Sequence, residues 1–220
     1  SIGYLAEGLV RRVAGCGLGE LFRRVIAAPL GLDFHLGLPE ALEPRASEML
    51  DDGLLLTDRP GFDRLQTLSQ VHMPIAPGMP NERRWRAMGI ASAGGMASAR
   101  GVAGLYRHLL SDLGGRTRHI ATAATLEAAL RLQISNEDLV LHIPVNWGIG
   151  FALNGDLGFY GPNAAAFGHH GWGGSTGFAD PAAGISFGYV MNYMRDVNHG
   201  DPRAQNLIRA TYAALGEARA

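Results

Sequence analysis

The 220 residues contain no lysine, so all 19 basic side chains are arginine. That excludes several chemistries at once: this chain cannot supply a Ser-x-x-Lys pair, a lysine general base or a Schiff-base lysine. Cysteine is almost as scarce. Cys16 is the only one, which rules out an internal disulfide and a thiolate metal cluster; flanked by Gly15 and Gly17, it reads as a small structural residue. Charge is sparse, at 18% of residues, against about 25% in ordinary domains. It nearly cancels, to a net −1, leaving no electrostatic basis for binding nucleic acid or an anionic membrane. No apolar run approaches the ~18 residues that a membrane span needs.

Apolar residues and glycine are plentiful. A hydrophobic content of 47% is enough to build a core for one large domain or two small ones. The 31 glycines are about twice the usual ~7% share, and beside that core they point to tight turns and close backbone approaches rather than disorder.

Leu5, Leu9 and Val13 fall on one face at i, i+4, i+8 and predict a helix over 3–14 that ends at Gly15. A second short helix is expected over 18–27, stopping before Pro29, followed by a brief extended segment at "LDFHLGLP". Residues 39–88 hold six prolines with weak periodicity and read as a long irregular excursion with one helix near 63–70. Val102, Leu105, Tyr106, Leu109, Leu110 and Leu113 then form a full helical stripe, stopped by Gly114-Gly115. A shorter helix follows at 123–132, and strand-like runs at 147–153, 166–174 and 185–194. A last helix opens with Asp201 as cap and Pro202 in the first turn, with Leu207, Ile208, Thr211 and Leu215 expected inward. Helices, then antiparallel strands, then a helix predict an α+β layer architecture. We find no internal repeat and no low-complexity tract.

One stretch concentrates the chemistry: "FGHHGWGGSTGFADPAAGISFGYVMN", residues 167–192. Its Gly173-Gly174-Ser175-Thr176-Gly177 fits G-x-S-x-G, but a nucleophile elbow needs a helix directly after the serine. Here "TGFADPAAG" follows, with Asp180-Pro181 and Gly184, and reads as a hairpin. Ser175 as the nucleophile of a self-contained α/β-hydrolase is therefore the weaker alternative, and a local hydrogen bond at the strand end the simpler role. Adjacent His169 and His170 point to opposite faces of a strand and cannot share one ion. "DVNHGD", 196–201, carries ligand residue types but suits loop and cap duty, so no metal and no cofactor is implied.

The same stretch resembles the third motif of the serine β-lactamase and penicillin-binding-protein superfamily, in its esterase-like branch of β-lactamase-related hydrolases and family VIII carboxylesterases. The spacing from His169 through Gly173-Gly174 to Asp180-Pro181 carries the resemblance, with support from "LAEGLVRRVAGCGLGELFRRVIAAPLGLDFHLGLPE" and "AGGMASARGVAGLYRHLL". It implies an antiparallel sheet flanked by helices. Residues 1–220 would be the C-terminal portion of one such domain, beginning just after the family's Tyr-centred motif. Tyr4 falls too late in the chain to be that tyrosine.

What the resemblance implies is a serine hydrolase acting by an acyl-enzyme on a small ester or β-lactam-like substrate. The nucleophile and base would lie outside this chain, in an N-terminal portion carrying Ser-x-x-Lys and the Tyr motif. Within the chain, His169 stands at the third-motif position and the backbone N–H of Gly171 or, preferably, Trp172 would face the developing oxyanion. His170, Gly171, Gly173 and Gly174, with Ser92, Gly94 and Gly95 of the turn "ASAGGMA", would contact substrate. Penicillin-recognising members carry lysine where His169 stands. A histidine of ordinary pKa near 6.5 is mostly neutral at pH 7, which favours neutral esters over substrates with a carboxylate. A noncatalytic binding module or pseudoenzyme on the same fold is the other reading, separated from the first by whether Ser-x-x-Lys exists upstream. Compartment and oligomeric state are not legible.

Overall fold

The computed structural model describes residues 2–51, 78–140, 142–195, 197 and 199–216. They group into two compact units, Ser1–Gly101 with Asn192–Asp196, and Val102–Met191 with Val197–Ala220. The helix expected near 63–70 lies outside the described residues.

In the first unit, α1 (Ile2–Ala14) ends at Gly15, which adopts φ +68°. Its apolar stripe is not buried: Leu5, Leu9 and Val13 are 71%, 62% and 79% exposed. The helix is instead seated at Gly3, where a Cβ would lie 2.7 Å from the Ser92 nitrogen. Glu7 ties it to α2 (Leu18–Phe22) by accepting the Leu18 N–H at 2.9 Å. α2 runs directly into a π-turn at Arg23–Ala27, so the expected 18–27 helix is present with a looser second half.

Beyond it, β1 (Phe34–Leu36) and β2 (Leu50–Asp51) are short. The described part of the 39–88 excursion holds 3₁₀ turns at Glu40–Arg45 and Met79–Asn81 and the helix α3 (Arg83–Met88). Trp85 on α3 is buried. Arg86 donates through Nε to Glu43 at 2.8 Å, binding α3 to the first of those turns. β3 (Gly95–Ala97) pairs antiparallel with β1.

α4 (Ala99–Leu113) carries the chain into the second unit, where α5 (Ala123–Ala129) follows, capped by Thr122. Six strands then build one antiparallel sheet in chain order: β4 (Ile134–Glu137), β5 (Pro144–Trp147), β6 (Ala152–Leu153), β7 (Phe167–His170), β8 (Thr176–Asp180) and β9 (Ile185–Tyr189). The short β10 (Tyr193–Met194) belongs to the first unit and pairs with β2. The closing helix is α6 (Pro202–Ala214).

Strand alternation sorts the core to the two faces of the sheet. Phe167 is opposite Ala179, and both pack with Tyr106, Leu109 and Leu126 from α4 and α5. Gly168 is opposite Phe178, which packs on the other face with Tyr160, Ile208 and Tyr212 of α6. The architecture is α+β, an antiparallel sheet flanked by helices. β8 is the strand the sequence pattern conceals: read as part of a hairpin, it is a fully buried strand between β7 and β9. Likewise "WGIGFAL" is two strands joined by a turn. Gly148 donates to Phe151 O at 2.9 Å and Gly150 takes φ +80°, so the glycines that mimic strand alternation mark the reversal. On α6 the buried face is Ala204, Ile208 and Tyr212, while Leu207 and Leu215 are 48% and 49% exposed.

The end of α4 is anchored by Asp112, 0% exposed. Its carboxylate accepts the Thr117 hydroxyl at 2.6 Å and the N–H groups of His119, Ile120 and Ala121 at 2.9, 2.7 and 3.1 Å. Burial alone would raise its pKa, but these donors outweigh it and hold the carboxyl at about 2. Asp112→Ala strands three backbone donors and should cost about 3 kcal/mol in urea unfolding. Because the folded pKa is depressed, this contribution is complete above the unfolded value near 4 and should fade as pH drops from there toward about 2. A wild-type minus Asp112→Ala stability difference that is flat across that window would contradict the assignment.

Candidate functional site

β7 presents its two histidines to opposite sides. His169 is exposed and His170 is 7% exposed. The His169 ring lies 5.4 Å from that of Trp147, centroid to centroid, at 32°. Its Nδ1 is 2.6 Å from the His170 carbonyl oxygen. A carbonyl only accepts, so Nδ1 carries the proton and, in the neutral ring, Nε2 holds a lone pair.

His170 sits in an aromatic cluster on the other face. Its Nδ1 meets the Thr176 hydroxyl at 3.0 Å, and its ring stacks on Tyr160 at 4.8 Å and 20°. His199 closes the cluster 4.8 Å away. His170 Nε2 and His199 Nδ1 are both buried without a hydrogen-bond partner. Burial, followed by the charges that neighbouring histidines would carry, lowers the pKa of His170 to about 3 and that of His199 to about 4. Both rings are neutral at pH 7. The structure therefore does not bring His170 together with His169.

The link from β7 to β8 is a tight turn in which three of the four amides from Gly171 to Gly174 are committed. Gly171 N–H donates to Ser175 O at 2.8 Å, Gly173 N–H to Val197 O at 3.0 Å, and Gly174 N–H to Gly171 O at 3.1 Å. The last bond, with φ +92° at Gly173, is the signature of a type II turn with Trp172 at its second position. The Trp172 N–H has no hydrogen-bond partner among the described residues. Gly174 adopts φ +117°, and a Cβ there would lie 2.2 Å from Asp201 Oδ2. No larger residue fits.

Ser175 leads into strand β8 and not into a helix, so the strand–turn–helix that an elbow requires is not formed. Ser92, Gly94 and Gly95 lie in the first unit. Ser92 is exposed beside Gly3 of α1, Gly94 donates its N–H to Ile90 O, and Gly95 opens β3. Asp201 does cap α6, accepting the Arg203 N–H at 2.8 Å. Arg203, which sequence reading passed over, donates through Nη2 to the Gly173 carbonyl at 3.0 Å. The run Asp201-Pro202-Arg203 signals a cap but not what the guanidinium reaches. Among the described residues no group of three or more metal-ligating side chains is gathered, and no helix is long and apolar enough to cross a membrane.

Comparison with known proteins places these features in a context. The model of the Beta-lactamase family matches residues 1–211. The crystal structure of a family VIII carboxylesterase superposes with a TM-score of 0.83 at 36% identity, covering 94% of this chain and 55% of that one. A penicillin-binding-protein homologue from Caulobacter crescentus gives 0.81 at 37% identity, over 96% of this chain and 56% of that one. The esterase/beta-lactamase LipL of Mycobacterium tuberculosis is 29% identical over 210 residues, 87% of this chain and 47% of its own length. The chain thus spans about half the length of these relatives.

The buried histidines make a pH prediction. Each has a folded pKa below the unfolded value near 6.5, so the unfolded chain binds protons first as pH falls. Stability should be complete above about 6.5 and decline through pH 6 toward 4. In NMR titration the His170 and His199 ring signals should stay fixed between pH 8 and 5.5. A midpoint near 6.5 for either ring would overturn the packing described.

Proposed function

The chain belongs to the Beta-lactamase family, and from that premise we propose that it is the carbonyl-binding part of a serine hydrolase that cleaves ester or amide bonds through an acyl-enzyme. The observation that carries the proposal is the uncommitted Trp172 N–H, set between the engaged amides of Gly171 and Gly173. When a nucleophile adds to a carbonyl, the oxygen gains negative charge, and a fixed N–H aimed at it lowers the barrier by a few kcal/mol. Gly171 N–H is spent on Ser175 O, which leaves Trp172 as the donor.

The nucleophile and its base come from a Ser-x-x-Lys segment, with a tyrosine motif assisting proton transfer, in a portion of the protein that this chain does not contain. Two surfaces support such a partner. The apolar stripe of α1 is exposed, and β9 ends the sheet with no further strand on its outer side among the described residues. An open edge takes up another strand or aggregates, so the chain alone should be inactive and poorly soluble.

His169 sets the substrate class. With Nδ1–H turned onto the His170 carbonyl, the ring has only Nε2 left to offer where a lysine would present a fixed cation. The site suits neutral short acyl esters better than penicillins or cephalosporins. Trp147, against the same ring, narrows this side. At Gly171 and Gly174 the missing side chains make room for Ser175 Oγ and Asp201 Oδ2, so these glycines fit the turn to its own neighbours.

Two variants test the reading in protein that also carries the Ser-x-x-Lys portion. Proline suits the second position of a type II turn, so Trp172→Pro deletes the donor while sparing the backbone. It should lower kcat about 10²- to 10³-fold, whereas Trp172→Ala keeps the N–H and should stay within about tenfold of wild type. Equal losses in both variants would remove the oxyanion role from this amide. His169→Lys should raise the ratio of penicillin to short-ester kcat/KM by about tenfold, the effect of one charge-assisted hydrogen bond. Comparable turnover of both substrate classes by wild type would sink the specificity argument. Ser175→Ala should leave turnover intact; its abolition would revive Ser175 as nucleophile.

A further inference from the structure

Arg203 and Asp201 stand outside the turn, yet they hold it. The Asp201 carboxylate is 2% exposed. It takes the Arg203 guanidinium through Nε at 3.0 Å on Oδ1 and through Nη2 at 2.7 Å on Oδ2. The same Nη2 donates to the Gly173 carbonyl at 3.0 Å. The pair lies against the turn backbone so closely that a Cβ at Gly174 would sit 2.2 Å from Asp201 Oδ2 and 2.8 Å from Arg203 Nη2.

Peptide units connect this contact to the Trp172 donor. The Gly173 carbonyl and the Gly174 N–H belong to one planar unit. That unit receives Arg203 at one end and donates to the Gly171 carbonyl at the other, at 3.1 Å. The Gly171 carbonyl and the Trp172 N–H form the next unit. A guanidinium therefore pulls on a chain of two aligned peptides that ends in the uncommitted N–H. Hydrogen bonds in series polarise one another, so the same contact both aims the last N–H and strengthens it as a donor. The Gly173 N–H bond to Val197 O at 3.0 Å fixes the intervening peptide plane.

We infer that Arg203, locked by Asp201, is a positioning residue that sets the Trp172 N–H through two hydrogen-bonded peptide units; the inference rests on the hydrolase reading above. It touches neither the substrate nor the reacting atoms. Its contribution falls on the transition state, where the oxyanion forms, and not on ground-state binding.

The test uses the protein with its Ser-x-x-Lys portion, and the variants Arg203→Met, Arg203→Lys and Asp201→Asn. With p-nitrophenyl butyrate, Arg203→Met should lower kcat about 10- to 100-fold, as a donor misplaced by a fraction of an ångström does, with KM within about threefold. Arg203→Lys should recover part of the loss, since one ammonium can reach either Gly173 O or Asp201 but does not reproduce the fork. Amide hydrogen exchange at Gly173 and Gly174 should quicken in Arg203→Met and move less in Arg203→Lys. Unchanged exchange at these amides, or quickened exchange with kcat unaltered, overturns the inference. A matching fall in kcat for Trp172→Pro alone and in combination with Arg203→Met supports it, because both act through one N–H. If Arg203→Met does not fold, Arg203→Lys and Asp201→Asn decide by the same two readouts. If wild type hydrolyses nothing, the hydrolase reading fails by itself; the exchange at Gly173 and Gly174 and the chemical shift of the Trp172 amide then decide whether Arg203 sets the turn.

Discussion

The Tyr212 hydroxyl donates to the Asp180 carboxylate, and the geometry of the candidate site descends from that buried contact. Asp180 is the last residue of β8 and fully buried. Its other bonds come from Asn163 at 2.8 Å and from the N–H groups of Ala182 and Ala183 at 2.9 and 3.1 Å. One carboxylate therefore ties together β8, the loop before β7, the β8–β9 turn and the closing helix. With its C-terminal half fixed through Tyr212 and Ile208, α6 delivers its first turn to the β7–β8 turn, where Asp201 and Arg203 take hold. Losing a partner of a buried carboxylate leaves a desolvated charge, which makes this arrangement hard to vary piecemeal.

The elements most readily seen in the sequence were those whose pattern is set locally. The stripe from Val102 to Leu113 with its Gly-Gly stop gave a helix that runs from Ala99 to Leu113, and Asp201-Pro202 marked the start of α6. The inward face of α6 was harder. Leucine periodicity favoured Leu207 and Leu215, whereas the face that meets the sheet is Ala204, Ile208 and Tyr212. Tyr212 is drawn inward by a carboxylate 32 residues earlier in the chain, and no helical pattern reports such a partner. β8 was hidden for a related reason. Thr176 to Asp180 is buried on both faces, so its residues do not alternate in polarity, and the glycine and proline around it look like turn punctuation.

At the candidate site, period-2 alternation was enough to separate His169 from His170. It could not say which amide of the 171–174 turn is left over. That depends on where Ser175 O and Val197 O come to rest, which is a property of the folded chain. Arg203 illustrates the same limit. Its sequence neighbours explain a helix cap, and only the fold reveals that the guanidinium continues past the cap to a carbonyl 30 residues away.

The donor at position 172 belongs to the main chain, and that has an evolutionary consequence. Every amino acid except proline carries the same N–H, so the side chain there can drift through bulky, small or polar residues while the hydrogen-bonding group persists. Variation at this position can reshape the mouth of the site without touching what the backbone offers. Gly174 allows no such freedom, because its backbone conformation and the carboxylate against it exclude a side chain. Nearby positions of one turn thus divide the labour between adaptability and constancy.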